Sequence, residues 1–143
     1  MIQKIVYQET TIAIIIRSNF RSSGIQFFTP DEFSQQLAYM KHPSGYHIPP
    51  HVHNKVIRDV QSTQEVLFVK SGKLRVDFYT EDQTYLESST LNTGDVILLA
   101  SGGHGFEILE EAEIIEVKQG PYSGDHDKTR FKPISIPNIQ IKG

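Results

Sequence analysis

The sequence predicts an all-β protein, and three observations support that prediction. Segments rich in valine, isoleucine, tyrosine and phenylalanine alternate with turn residues at intervals of roughly 8 to 12 residues. Within several segments apolar and polar side chains alternate, as they do in strands that bury one face. Almost no segment has the period of an amphipathic helix. Short strands joined by turns at this spacing are typical of a sandwich or barrel.

The first part of the chain is expected to form a hairpin, a loop and two strands. "KIVY" and "TIAIII" are β-branched and are separated by "QET", which suits a hairpin within residues 1–20. The polar residues that follow form a loop, in which "PDEFSQQL" is expected to supply one helical turn. "QLAYMKH" is expected to be a strand, and "HVH", after a proline-containing turn, a second short strand.

The second part of the chain is expected to form two further hairpins around a buried strand. "QEVLFVK" and "LRVDFYT" flank "SGK", which predicts a hairpin with Gly72 at the bend. "DVILLA" predicts the buried strand, and "FEIL" and "EIIEVKQG", separated by "EEA", predict the last hairpin. Residues 121–143 contain Pro133 and Pro137, so we expect an extended tail there.

Composition limits the class of protein. The 143 residues, 38% of them hydrophobic, suit one domain over residues 1–143 with a single core. A net charge of −3 and scattered cationic residues argue against nucleic-acid binding. The apolar run Ile12–Ile16 is too short to cross a membrane and lacks the flanks of a signal peptide, so we expect a cytoplasmic protein without membrane contact.

Histidine and glutamate residues are the candidates for chemistry. The chain has no cysteine, so any metal must use nitrogen and oxygen ligands. His51 and His53 would share one face of a strand, about 6.7 Å apart along the backbone, and their rings can lean onto one ion. Glu65 enters an apolar strand, either facing water at its end or buried with a partner. His104 alternates with Phe106 on a face expected to point inward, either as a hydrogen-bonded core residue or as a ligand.

These four residues and the glycines around them resemble the two sequence motifs of the cupin superfamily. Gly45, His51-Val52-His53, Glu65 and Gly72 resemble the first motif, and Gly94 followed by His104 resembles the second. The resemblance covers about residues 36–119, the motif core of the expected domain. The spacer departs from the pattern, because eleven residues separate His53 from Glu65 where cupins usually have three or four.

The resemblance implies a fold and a metal site. It implies a single cupin-type double-stranded β-helix, or jelly-roll barrel, with an N-terminal hairpin and an extended C-terminal tail. It also implies one divalent metal held by His51, His53, Glu65 and His104. Three imidazoles and a carboxylate suit Fe, Mn, Ni, Zn or Co, and a position left open on the metal would admit water or substrate.

Two other residues are candidates for catalytic roles at the mouth of such a barrel. Glu116 would be an acid or base if Glu116 and Lys118 face inward; the alternative is that Ile115 and Val117 do, and alternation alone leaves both open. Tyr46 is the second candidate, as a proton donor.

Three functions follow from these residues and from the resemblance. The first is a metalloprotein acting on a small polar molecule, as an enzyme of the dioxygenase or isomerase kind. The second is a metal-independent nucleotide-sugar isomerase or epimerase, with His51 or His53 as base and Tyr46 or Tyr79 as acid. The third is a non-catalytic sugar-binding cupin. We also expect a homodimer, because Val66 and Phe68 form an apolar outer face and the hairpin and tail are candidates for exchange between copies.

Overall fold

The computed structural model describes residues 1–143 and confirms the all-β prediction. The chain forms two compact units, one made of Met1–Phe20 with Thr63–Gly143 and the other of Arg21–Ser62, and each is described by itself. Besides one 3-10 turn at Ile136–Asn138, all regular structure is β. The strands are β1 (Ile2–Tyr7), β2 (Thr10–Ile16), β3 (Gly24–Phe27), β4 (Ala38–Lys41), β5 (Glu65–Tyr79), β6 (Tyr85–Asn92), β7 (Val96–Leu99) and β8 (Gly103–Lys118).

The N-terminal hairpin and the buried strand form as predicted. β1 and β2 are antiparallel neighbours joined by Gln8 and Glu9, which both have positive φ, as a two-residue hairpin turn requires. β2 also pairs with β7, and Ile97, Leu98 and Leu99 of β7 are buried. Short-range turn chemistry and a run of β-branched residues are sufficient to specify both features.

The larger sheet is built around β5. Its order is β1-β2-β7-β5-β6, with β8 antiparallel to β5 along its whole length. The first part of β5 pairs with β7 on its other side, and the second part pairs with β6. Because one strand serves two different neighbours in succession, the β5–β8 ribbon curls.

A bend in this ribbon replaces the two hairpins predicted around Gly72 and around Glu111. The register of β5 against β8 shifts at three places between Val69 and Leu74, so the bend is made by bulges and neither chain reverses. Gly72 has φ +88°, and a Cβ on it would lie 2.1 Å from the Glu111 carbonyl oxygen. The hairpin prediction was wrong because a glycine with positive φ serves a bulge as well as a turn.

Alternate residues of β5 fill the core. Leu67, Val69, Leu74, Val76 and Phe78 are all buried. Each such side chain contributes roughly 1.5–3 kcal/mol relative to an exposed one. Apolar side chains from β1, β2, β6 and β7 complete the same cluster: Ile5, Ile12, Ala13, Ile15, Leu91, Ile97 and Leu99.

A buried ion pair joins β2 to the turn before β7. Arg17 Nη1 donates to Asp95 Oδ2 at 3.0 Å, and both side chains are almost inaccessible to solvent. Asp95 also accepts hydrogen bonds from the backbone N–H groups of Ser18 at 2.8 Å and Asn92 at 2.9 Å. The carboxylate therefore has enough partners to offset its desolvation.

The second unit contains a two-stranded sheet of β3 and β4. "QLAYMKH" thus supplies a strand as predicted, but "PDEFSQQL" forms turns in which the Gln36 amide donates to the carbonyl oxygens of Pro30, Asp31 and Phe33. "HVH" is not a strand, because residues 51–62 pair with no strand and follow prolines at 49 and 50.

The C-terminal tail is extended, as predicted, and lies against its own unit. The Ile134 N–H donates to the Tyr79 hydroxyl at 3.0 Å, and the Gln140 N–H donates to the Tyr85 hydroxyl at 2.8 Å. A parallel bridge pairs Ser88 with Ile141. No helix of this chain is both long and apolar enough to cross a membrane.

Candidate functional site

One face of the β5–β8 ribbon carries charged residues beside the core. Partners in an antiparallel pair share a face, and Glu65 pairs with Lys118 while Leu67 pairs with Glu116. Leu67 is buried in the core. This face is therefore the inner one, and we call it the concave face. Of the two alternatives for residues 113–118, the structure has Glu116 and Lys118 on the inner side.

Glu65 and His104 meet on the concave face although they occupy opposite ends of the ribbon. Glu65 opens β5, whereas His104 pairs with Phe78 near the end of β5. The bend brings His104 Nε2 to 3.6 Å from Glu65 Oε2. The His104 side chain is 28% exposed and the Glu65 side chain 12%, so the pair is partly shielded but open to a small molecule. Of the two readings of Glu65, the structure favours a shielded carboxylate with a partner.

The surroundings of Glu65 favour its ionised form. Its pKa is lowered, chiefly by the His104 imidazole as a proton donor to the carboxylate. Partial burial opposes this shift, whereas the positive charges of Lys118 and Lys128 add to it. The site therefore presents an anionic oxygen beside an imidazole nitrogen.

His51 and His53 form a second pair, within the other unit. Both are exposed, and their rings contact each other edge to face with centroids 5.1 Å apart. His51 Nδ1 lies 3.0 Å from the Pro49 carbonyl oxygen, which only accepts hydrogen bonds. In the neutral ring this contact assigns the proton to Nδ1, which leaves the lone pair of Nε2 for another partner.

The four predicted metal ligands are thus present as two pairs. No group of three or more histidine, cysteine, aspartate or glutamate side chains that could hold a metal ion occurs in the structure. Two donors bound at about 2.1 Å to one tetrahedral ion lie about 3.4 Å apart. The 3.6 Å separation of His104 Nε2 and Glu65 Oε2 is close to that spacing, so this pair fits two positions of a nitrogen and oxygen site.

The two predicted catalytic residues differ in their surroundings. Glu116 lies on the concave face, with Oε1 3.9 Å from Lys118 Nζ. Tyr46 is exposed and stacks on the His42 ring, with centroids 4.1 Å apart and planes 5° apart. Tyr79, weighed as an acid, is buried and its hydroxyl accepts from the tail.

Sequence reasoning named Lys118 only as a residue that would face inward together with Glu116, and it gave Lys128 no role. Both cations lower the pKa of the Glu65 carboxyl. The relation of Lys118 to Glu65 follows from strand pairing, which the sequence does not display. No local signal marks Lys128, which lies in the irregular tail.

No protein-family model, curated protein or solved structure gives a significant match to this chain.

Proposed function

We propose that this protein binds a divalent transition metal through Glu65 and His104 and acts on a small polar molecule at the concave face. The observation that carries this proposal is the 3.6 Å approach of Nε2 and Oε2 from opposite ends of a bent ribbon. Fold-level support is coarser: an all-β chain with a curled sheet is compatible with a cupin-type jelly roll, and we propose that class for it.

Each residue has a distinct part in the proposed chemistry. The Glu65 carboxylate, with its lowered pKa, supplies a charged oxygen donor, and His104 supplies a nitrogen donor. Lys118, on the same face, is suited to hold an anionic group of a substrate. Glu116, 3.9 Å from Lys118, would exchange a proton with that substrate. When bound, a divalent ion would polarise a carbonyl group or activate water.

The full ligand set in this proposal also includes His51 and His53. Their neutral rings are chemically suited to the same metals, namely Fe, Mn, Ni, Zn and Co. The tautomer of His51 favours this role, since its Nε2 is the nitrogen without the proton. The four-ligand set remains a prediction.

Metal binding is tested directly with four single variants. We expect Glu65→Gln and His104→Ala to weaken the binding of Zn²⁺ or Mn²⁺ by more than about tenfold, because each removes a donor. Metal content by elemental analysis and affinity by titration calorimetry provide the measurement. His51→Ala and His53→Ala measured in parallel report whether the second pair contributes.

The control is His126→Ala, which removes an exposed histidine of the tail, and it should leave metal affinity unchanged. Equal metal binding by the wild type, Glu65→Gln and His104→Ala would contradict the proposal. So would the absence of binding by the wild type for all five candidate metals.

A second candidate function uses the same pair without a metal. A carboxylate next to an imidazole is the arrangement that orients a histidine for proton transfer, and Glu65 and His104 have it. Isomerisation or epimerisation of a nucleotide-linked sugar needs only such acid and base chemistry. Activity that survives exhaustive chelation but is lost in His104→Ala would favour this function over the first.

A further inference from the structure

The last long strand leaves one edge of the sheet open. β8 has sixteen residues and pairs only with β5, so the backbone groups on its other side have no strand partner. The edge at β6 differs, because the tail bridges it at Ser88. An unpaired edge of this length invites pairing with another extended chain.

The side chains of β8 also favour a binding partner at this edge. Apolar residues stand exposed on both of its faces. Phe106 and Ile108 share the face of the buried Val76 and Leu74, whereas Ile115 shares the outer face with Phe68. Six apolar side chains of this strand are exposed by more than a third: Phe106, Ile108, Leu109, Ile114, Ile115 and Val117. Water is an unfavourable environment for a row of this kind.

Charge disfavours pairing of β8 with the β8 of another copy. The strand carries five glutamates and one lysine: Glu107, Glu110, Glu111, Glu113, Glu116 and Lys118. An antiparallel pairing centred on the strand would place Glu110 of one copy opposite Glu111 of the other. Like charges directly opposite each other destabilise a sheet. The edge therefore suits an extended segment that is apolar and cationic.

Residues 51–60 of this chain have those properties. They are exposed throughout and belong to no strand, so their backbone groups are available for pairing. In an extended conformation Val52, Val56 and Val60 would lie on one face. Lys55 and Arg58 supply two cations, against the single carboxylate of Asp59. Val52 is 85% exposed, so this segment too presents an apolar side chain to water.

We propose that the free edge of β8 is an interface between two copies of this chain, at which residues 51–60 of the second copy add as a strand. The valine face then continues the apolar outer face that contains Ile115 and Val117. Lys55 and Arg58 fall on opposite faces of the added strand, and β8 offers glutamates on both faces, Glu107 on the outer and Glu116 on the inner. Reciprocal exchange about a two-fold axis covers both edges and closes the assembly as a dimer. His51 and His53 lie within the exchanged segment, so in the dimer they would join Glu65 and His104 of the other copy, whereas the strand pairing itself does not require bound metal.

Disulfide trapping tests the interface cleanly, because the chain has no cysteine of its own. Cysteine is introduced at Ile115 in one preparation and at Val52, Val56 or Val60 in others, which samples the possible registers. We expect Ile115→Cys mixed with one of the segment variants to give a covalent heterodimer under mild oxidation. Sedimentation of the wild type should show a dimer that dissociates on dilution.

The remaining outcomes overturn the proposal. Ile115→Cys crosslinking with itself would mean that β8 pairs with β8. A chain that carries both Ile115→Cys and one of the segment cysteines provides a further check. An intrachain bond in it, seen as a crosslinked monomer, would mean that the segment covers the edge of its own chain. No crosslink at any of the three positions together with a monomeric mass would mean that the edge is open in solution.

Charge exchange provides an independent readout of the same contact. Glu110→Lys with Glu113→Lys should raise the dimer dissociation constant by about tenfold, since two favourable pairs become repulsive. Adding Lys55→Glu and Arg58→Glu should restore the dimer. Glu9→Lys, an exposed change in the first hairpin turn, is the matched control and should have no effect. Failure of the reversed charges to restore the dimer would contradict the proposed partner.

Discussion

At the scale of single residues, Gly72 has the clearest structural role in the chain. Its backbone adopts φ +88° at the point where β5 bends, and the Glu111 carbonyl oxygen occupies the space that a Cβ would need. Both constraints act on the same residue, and glycine is the one amino acid without a Cβ. The bend that brings His104 to Glu65 therefore depends on a missing side chain.

Gly72→Ala should destabilise the protein strongly. The left-handed conformation alone costs an L-residue about 1–2 kcal/mol, and relieving the contact with Glu111 must add to that. We expect a loss of at least about 2 kcal/mol in the free energy of unfolding, measured by urea denaturation. Gly105→Ala is the control, because a Cβ there meets nothing within 4 Å. Similar losses in both variants would show that the bend does not depend on Gly72.

Glu65, next to His104, shows that burial alone does not set the pKa of a carboxyl group. Glu65 is more buried than Glu116, yet its pKa is lowered, because the neighbouring imidazole and lysines outweigh desolvation. The ionised Glu65 carboxylate is the form that binds a metal ion or pairs with a protonated histidine. The charges around Glu65, which outweigh its burial, therefore favour the form that the proposed function requires.

At the scale of elements, the ion pair between Arg17 and Asp95 holds the end of β2 against the turn that leads into β7. The contact is short and almost fully buried, and two backbone N–H groups complete the coordination of the carboxylate. Removing one partner of such a pair costs stability, because the other charge then stays buried without a counter-charge.

Asp95→Ala should therefore be among the most damaging single changes. We expect a loss of about 3–5 kcal/mol in the free energy of unfolding, because the Arg17 guanidinium would remain buried with the neutral oxygens of Thr90 and Gln3 as its closest acceptors. Asp125 pairs with Arg130 at 3.2 Å, but both side chains are 73% exposed, so Asp125→Ala should cost less than about 1 kcal/mol. Chemical denaturation of the two variants decides the matter. Equal losses would mean that burial of the first pair does not determine its contribution.

At the scale of the whole chain, the C-terminal tail completes the first unit by covering polar groups of β6. Ser88 is fully buried, and its backbone exchanges hydrogen bonds with Gln140 and Lys142, each at 2.8 Å. Its hydroxyl donates to the buried Asp77, whose carboxylate also pairs with Arg75. Without the tail the backbone N–H and carbonyl groups of Ser88 would lose partners that no nearby strand supplies.

Tyr85→Phe tests the docking of the tail. The Tyr85 hydroxyl accepts the Gln140 N–H and lies 2.7 Å from Ser88 Oγ. Its loss should cost about 1–2 kcal/mol and raise the hydrogen-exchange rate of residues 140–142. Tyr122→Phe, at an exposed tyrosine of the same tail, should change neither. Unaltered exchange in Tyr85→Phe would show that the strand bridge alone anchors the tail.

The exchange elements expected for a dimer have a different place in the structure. The N-terminal hairpin pairs with β7 of its own sheet, and the tail binds β6 of its own unit. The free edge lies instead at β8, a strand predicted as two halves of a hairpin.

The sequence by itself determined the features that depend on neighbouring residues. Alternation and turn chemistry correctly predicted an all-β chain, the first hairpin, β4, β7 and an extended tail, since each rests on interactions within a few residues. Alternation also placed His104 on a face expected to point inward, whereas it left Glu65 open between a water-facing and a buried position. The absence of a strand at "HVH" followed from missing pairing, which no local pattern reveals.

Only the tertiary structure decided the features that depend on distant residues. Gly72 is compatible with a reversal or with a bulge, and the choice was made by β6 and β7, which pair with successive parts of β5. The same pairing settled that Glu116 and Lys118 share a face with Glu65. The approach of His104 to Glu65 needed the completed bend, because a contact between residues 39 positions apart is set by packing and not by local propensity.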